Sequence, residues 1–156
     1  MLNKFNIFLL LGFFLGGCDE PPSVEVLDKR FGIAIPLSDG KLRFKSTYEV
    51  PLQSGQVYMW WIALRTNRSS VAIKETLSLS AEGDWSETDS GTIVSPDKKT
   101  GVLKRTVLVG DGVIYGNWSV AKRDPLGPSK MLVEIENSSA VEFDFAFIEP
   151  LATATP

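Results

Sequence analysis

The sequence contains no histidine and a single cysteine, Cys18, in 156 residues. Without histidine it lacks the commonest general base near neutral pH and the commonest metal ligand. One cysteine excludes an internal disulfide and a cysteine-rich zinc site. There is no excess of one charge: the formal net charge is -3. No run of lysine and arginine offers a surface that would track a phosphate backbone, so nucleic acid is not an expected partner. Helical periodicity is also missing, as is any internal repeat. What remains is a chain of ordinary hydrophobic content, 44%, long enough to bury one core without covalent staples.

The first residues depart from this average. Lys4 and the terminal amine make a short positive start, Ile7 to Leu15 is almost wholly apolar, and Gly16 and Gly17 precede Cys18. That is the layout of a secretory leader. The apolar stretch is shorter than the roughly 20 residues that span a bilayer. It stops at Asp19-Glu20-Pro21-Pro22, which cannot continue a helix into lipid.

Leu15-Gly16-Gly17-Cys18 resembles the lipobox of bacterial lipoproteins. The resemblance implies cleavage before Cys18, a diacylglycerol on its sulfur and an acyl chain on its new amino terminus. No other cofactor is expected. Two or more chains hold a protein at a membrane where one binds marginally. Asp19 directly after the cysteine, reinforced by Glu20, resembles the signal that keeps enteric lipoproteins in the inner membrane. The expected location is therefore the envelope, with the inner membrane facing the periplasm favoured over the outer membrane. Residues 1–17 are read as leader, 18–28 as lipidated cysteine and flexible tether, 29–150 as the domain and 151–156 as a frayed tail.

Within the domain, alternation with a period of two dominates. Phe31, Ile33 and Ile35 form one set, then Ser38-Asp39-Gly40 offers turn chemistry. Leu42, Phe44, Tyr48 and Val50 suggest a second strand. Val57 to Leu64, Val71 to Leu79 and Val102 to Val109 follow, with a polar loop from Ala81 to Gly91. Gly110-Asp111-Gly112 is a strong hairpin signal before Val113 to Lys122. Met131, Val133 and Ile135 precede a turn at Asn137-Ser138-Ser139, and Val141, Phe143, Phe145 and Phe147 close the series. About eight strands without a helix predict an all-β, antiparallel β-sandwich. Gly116-Asn117-Trp118-Ser119-Val120 with Asp124-Pro125-Leu126-Gly127 resembles the penultimate strand and corner of immunoglobulin-like domains in exported bacterial proteins. That resemblance implies a fold and no particular activity.

Catalytic signatures do not survive inspection. Ser95-Pro96-Asp97-Lys98 followed by Lys99-Thr100-Gly101 is similar to fragments of penicillin-binding enzymes. There the serine opens a helix and the second motif lies on a separate strand; here both fall in one Pro-containing loop, read as a hairpin. The loop from Glu82 to Gly91 holds Glu82, Asp84, Glu87 and Asp89. Its spacing does not match a calcium loop, so it is read as a solvated acidic loop, and no metal site is expected. A small hydrolase using Asp84 and Glu87 is the third of three functional readings.

Tyr58-Met59-Trp60-Trp61-Ile62-Ala63-Leu64 is the most informative stretch. On a strand, Trp60 and Trp61 point to opposite faces. One face enters the core; the other would carry an apolar stripe unless the Trp85 loop covers it. Tyr58, Trp60, Trp61 and Trp85 are the candidate binding surface, for a protein of an envelope complex or, alternatively, for a sugar ring of a carbohydrate or peptidoglycan. The leading expectation is a non-enzymatic accessory lipoprotein.

Overall fold

The structure is a computed structural model that describes residues 23–86 and 88–150. The leader, Cys18, Asp19, Glu20, Glu87 and the 151–156 tail lie outside the described residues. Ten strands form, and no helix is present among the described residues. They are β1 (Glu25–Pro36), β2 (Leu42–Ser46), β3 (Glu49–Pro51), β4 (Val57–Arg65) and β5 (Ser70–Ser78), then β6 (Ile93–Val94), β7 (Thr100–Leu108), β8 (Val113–Ser119), β9 (Gly127–Ile135) and β10 (Val141–Ile148). Two sheets stack: a four-stranded one in the order β2-β1-β4-β8 and a six-stranded one in the order β3-β10-β9-β5-β7-β6.

Both extra strands have a local cause. The segment from Leu42 to Val50 divides, because β2 pairs with β1 in one sheet while β3 pairs in parallel with β10 in the other. The short β6 pairs with β7 through Ile93 and Val94. The chain also becomes regular earlier than expected. β1 begins at Glu25, inside the segment read as a tether, with Glu25 opposite Arg65 and a register shift between Val26 and Asp28.

Alternation explains the core. In β4, Tyr58, Trp60, Ile62 and Leu64 are buried while Val57, Met59, Trp61 and Ala63 are only partly covered. In β10, Val141, Phe143, Phe145 and Phe147 are buried. Phe31 of β1 stacks on Phe145 at 4.7 Å between ring centroids, and Tyr58 meets Phe147 edge-on at 5.6 Å. Each such side chain contributes roughly 1.5–3 kcal/mol by leaving water.

The Gly110-Asp111-Gly112 expectation needs correction. The turn itself forms: Asp111 and Gly112 have φ of 50° and 74°, and Gly110 and Val113 exchange backbone hydrogen bonds at 3.0 and 2.9 Å. Yet the strands it joins belong to different sheets, β7 to the six-stranded and β8 to the four-stranded one. The turn carries the chain across the sandwich, held by a bond from Leu64 N–H to Gly112 C=O at 2.7 Å.

Candidate functional site

The aromatic strand resolves the choice between its two tryptophans. Trp60 and Tyr58 are fully buried in the core and are thereby withdrawn from the candidate surface. Trp61 faces outward on the four-stranded sheet, in one row with Arg30 of β1 and Tyr115 of β8. The Arg30 guanidinium lies over the Trp61 ring at 5.1 Å from its centroid, a cation–π contact that covers one face of the indole. Tyr115 is 61% exposed.

Trp85 is half-buried and packs away from the Trp61 face. Its Nε1–H donates to the Lys98 carbonyl at 2.7 Å, and its ring meets Trp118 edge-on at 6.4 Å. The ring rests on Gly101, where an added Cβ would collide with it. Trp85 thus fastens the 81–91 loop to the β6–β7 hairpin and leaves the outer face of β4 uncovered.

That outer face carries an apolar row, flanked by Asn117 and Ser119 of β8 and Ser46 of β2. The half-buried Met59, Trp61 and Ala63 share it with Val113 and Tyr115 of β8, with the buried Ala34 of β1 and with Phe44 of β2, the strand beyond β1. Gly32 is required there, because the Phe44 ring and the Lys45 backbone occupy the space of a side chain. Its charges run from one end to the Trp61 row and pair with each other: Glu25 with Arg65 at 2.6 Å, and Asp28 with Arg30 at 3.2 Å. The outer face of the six-stranded sheet is of opposite character. Lys74 pairs with Glu134, and Lys130 pairs with Glu142 and Asp144. Such a lattice of exposed ions stays hydrated.

A second polar assembly lies between the sheets. Glu75 of β5 is fully buried. Its Oε1 accepts hydrogen bonds from Trp60 Nε1 at 2.7 Å and Trp118 Nε1 at 3.2 Å, and its Oε2 accepts one from Arg105 Nε at 2.8 Å. Gly116 admits this cluster, since a Cβ there would collide with the Arg105 guanidinium and the Trp60 ring. Both indole donors and the carboxylate are satisfied, as buried polar groups require. The sequence carried a signal for it: Glu75 occupies an inward position between Ile73 and Leu77, and Arg105 one between Leu103 and Val107.

The acidic loop is tied down by ion pairs and hydrogen bonds. Lys98 Nζ donates to Glu82 at 2.7 Å, which lowers the carboxyl's pKa. Asp84 accepts from the Ser86 hydroxyl at 2.7 Å and from Arg123 at 3.2 Å, and its pKa falls with these bonds. Asp124 accepts the Asp84 and Ala121 backbone N–H groups, while partial burial raises its pKa. No cluster of three metal-ligating side chains occurs among the described residues. Ser95 and Lys98 lie in the β6–β7 hairpin, where the Ser95 hydroxyl donates to Asp97 at 2.5 Å instead of meeting Lys98.

Two sheets packed around an aromatic core, with strands that change sheet at tight turns, define an immunoglobulin-like β-sandwich. A crystal structure of an immunoglobulin-like protein from Pseudomonas aeruginosa superimposes with a TM-score of 0.58 at 13% identity, covering 81% of this chain and 97% of that one. Residues 29–148 match the family model described as the PM0630 beta sandwich domain, and the chain belongs to that family. A search of curated proteins found no significant match.

Proposed function

We propose that this chain is a non-enzymatic binding domain of the bacterial envelope, held at a membrane by lipid on Cys18 and docking an envelope protein on the outer face of its four-stranded sheet. The carrying observation is the contrast between the two outer faces, one laced with paired ions along β5, β9 and β10 and one with an apolar row through Met59, Trp61 and Ala63 to the exposed Tyr115. A contiguous apolar row ending in exposed aromatic rings is the kind of surface that marks interaction sites. Tethering raises the effective concentration of a membrane partner. Asp19 and Glu20 favour retention in the inner membrane.

The test is crosslinking in intact cells followed by affinity capture, comparing the natural chain with Trp61→Ala and with a control domain on the same lipid anchor. One specific envelope protein, lost in Trp61→Ala, supports the reading. Identical recovery from all three overturns it. A second reading, a carbohydrate or peptidoglycan module, is favoured by the exposed ring of Tyr115. Quenching of tryptophan fluorescence by peptidoglycan fragments, abolished in Tyr115→Ala, would select it. Arg30 over Trp61 disfavours it, because that indole face is taken.

A further inference from the structure

The four sheet edges are unequal. β2 carries Arg43 and Lys45, β3 has three residues and ends on Pro51, and β6 has two residues. Charge, proline and shortness each discourage an incoming strand. β8 has none of these: its seven residues are Val-Ile-Tyr-Gly-Asn-Trp-Ser.

Its backbone is set for pairing. Val120 exchanges hydrogen bonds with Gln56 and Gly55 at 2.9 Å, and Gly112 C=O accepts from Leu64. Backbone polar groups alternate in direction along a strand. Ile114, Gly116 and Trp118 therefore pair with β4, while Tyr115, Asn117 and Ser119 aim their N–H and C=O groups at the open edge.

Beside this edge lies a crevice of about 340 Å³, lined among others by Leu103, Trp118, Arg105, Thr92 and the exposed Asp89. The Thr92 hydroxyl is buried without a hydrogen-bond partner among the described residues. Arg105 is neutralised by Glu75, and Asp84 by Arg123. Asp89 has no ion pair among the described residues, so these groups leave one uncompensated negative charge.

We propose that β8 is a docking edge for an extended segment of a partner protein, which adds as a further strand and sends a basic side chain into the crevice toward Asp89 and Thr92. Strand addition supplies affinity through main-chain bonds and selectivity through the side-chain pocket. A second copy of this chain fits less well. Its own β8 would turn Ile114 and Trp118 toward the crevice, and both are already buried in its core. The inference rests on reading the domain as a protein-binding module, but it uses a different surface from Trp61.

The test uses the full chain in detergent and synthetic peptides of about nine residues, a normal strand length. Alternating threonine and valine flank a central lysine, glutamate or alanine. The lysine peptide should slow amide exchange at Tyr115, Asn117 and Ser119 and bind about fivefold tighter than the glutamate peptide, as opposite charge beside the exposed Asp89 carboxylate implies. Asp89→Asn should abolish that preference while the alanine peptide binds as before. Asn117→Pro should abolish binding of all three peptides with the near-ultraviolet circular dichroism intact. Absence of protection at millimolar peptide, protection without lysine preference, or a dimer formed through β8 would each overturn the proposal. If the peptides fail while Trp61→Ala still abolishes crosslinking, only the edge is lost and the outer-face reading stands.

Discussion

Trp60 donates its indole N–H to the Glu75 carboxylate at 2.7 Å, between the two sheets. The bond makes Glu75 the acceptor for donors from both sheets, because Trp118 joins from β8 and Arg105 from β7. Glu75→Ala removes the shared acceptor and leaves two indole donors and a guanidinium without their partner. Loss of one member of a buried ion pair costs about 3–5 kcal/mol. Glu75→Gln keeps an oxygen for the indoles and should cost less, about 1–3 kcal/mol. Urea unfolding followed by tryptophan fluorescence gives the order. Equal losses in both variants would refute the sharing of one carboxylate by the indoles.

Gly116→Ala tests the same cluster from the backbone side. The added methyl would lie 2.6 Å from ring carbons of Trp60 and would also collide with Arg105. Arg105 can swing outward, but Trp60 is enclosed by the core. Overpacking of this kind costs about 1–3 kcal/mol. Gly110→Ala, where an added Cβ meets nothing within 4 Å, is the control and should lie within about 0.5 kcal/mol of the natural chain. Similar midpoints for the two variants would show that Gly116 is not needed for close packing.

Much of this architecture was written in the alternation of apolar residues. The inward series of β4 and β10 follow directly from it, as does the turn chemistry at Gly40 and Asn137. Two things were hidden. A period of two says that Trp60 and Trp61 face apart but not which is inside; Phe31, Phe145 and Phe147 around the Tyr58 side of the strand decide that. Turn residues likewise encode a reversal without saying which sheet receives the next strand, so Gly110 to Gly112 read as a hairpin. Glu75 was legible as a gap in the apolar series of β5, and Arg105 as the matching gap in β7. Register places Glu75 opposite Leu103 and Arg105 opposite Ile73, so the two are diagonal neighbours.

Stability should respond to acid in two opposed ways around the 81–91 loop. Bonds from Ser86 and Arg123 hold Asp84 below the ordinary carboxylate range. Its stabilisation is present above the unfolded value, about 4, and is lost as pH falls through the lower folded value. Asp124 runs the other way. Burial raises its folded pKa, so the natural chain loses stability as pH rises from the unfolded value through the folded one. Relative to Asp84→Asn, the natural chain should therefore gain urea resistance with rising pH up to about 4 and hold level above. Relative to Asp124→Asn it should lose resistance with rising pH above about 4. Midpoints taken in half-unit steps from pH 3 to 7 check both signs. A common sign for the two comparisons would contradict the assigned environments.

The proposed anchor predicts a separable phenotype, because β1, the first strand among the described residues, begins at Glu25, beyond Cys18. Replacing Cys18 with serine removes the only sulfur that could carry a thioether-linked lipid. The proposed diacylglycerol and amide-linked acyl chain would together supply the two signals that stable anchoring takes, since each buried CH₂ contributes about 0.8 kcal/mol. Cys18→Ser should therefore lose the fatty-acid mass and leave the pelleted membrane fraction, while the unfolding midpoint of the domain stays unchanged. Exchanging Asp19 and Glu20 for serine should keep the lipid and shift the protein toward the outer-membrane fraction. Mass spectrometry of the N-terminal peptide and sucrose-gradient fractionation read the two effects independently. An unmodified Cys18 still joined to an intact leader would remove the lipid anchor, and with it the advantage in effective concentration on which docking of a membrane partner depends.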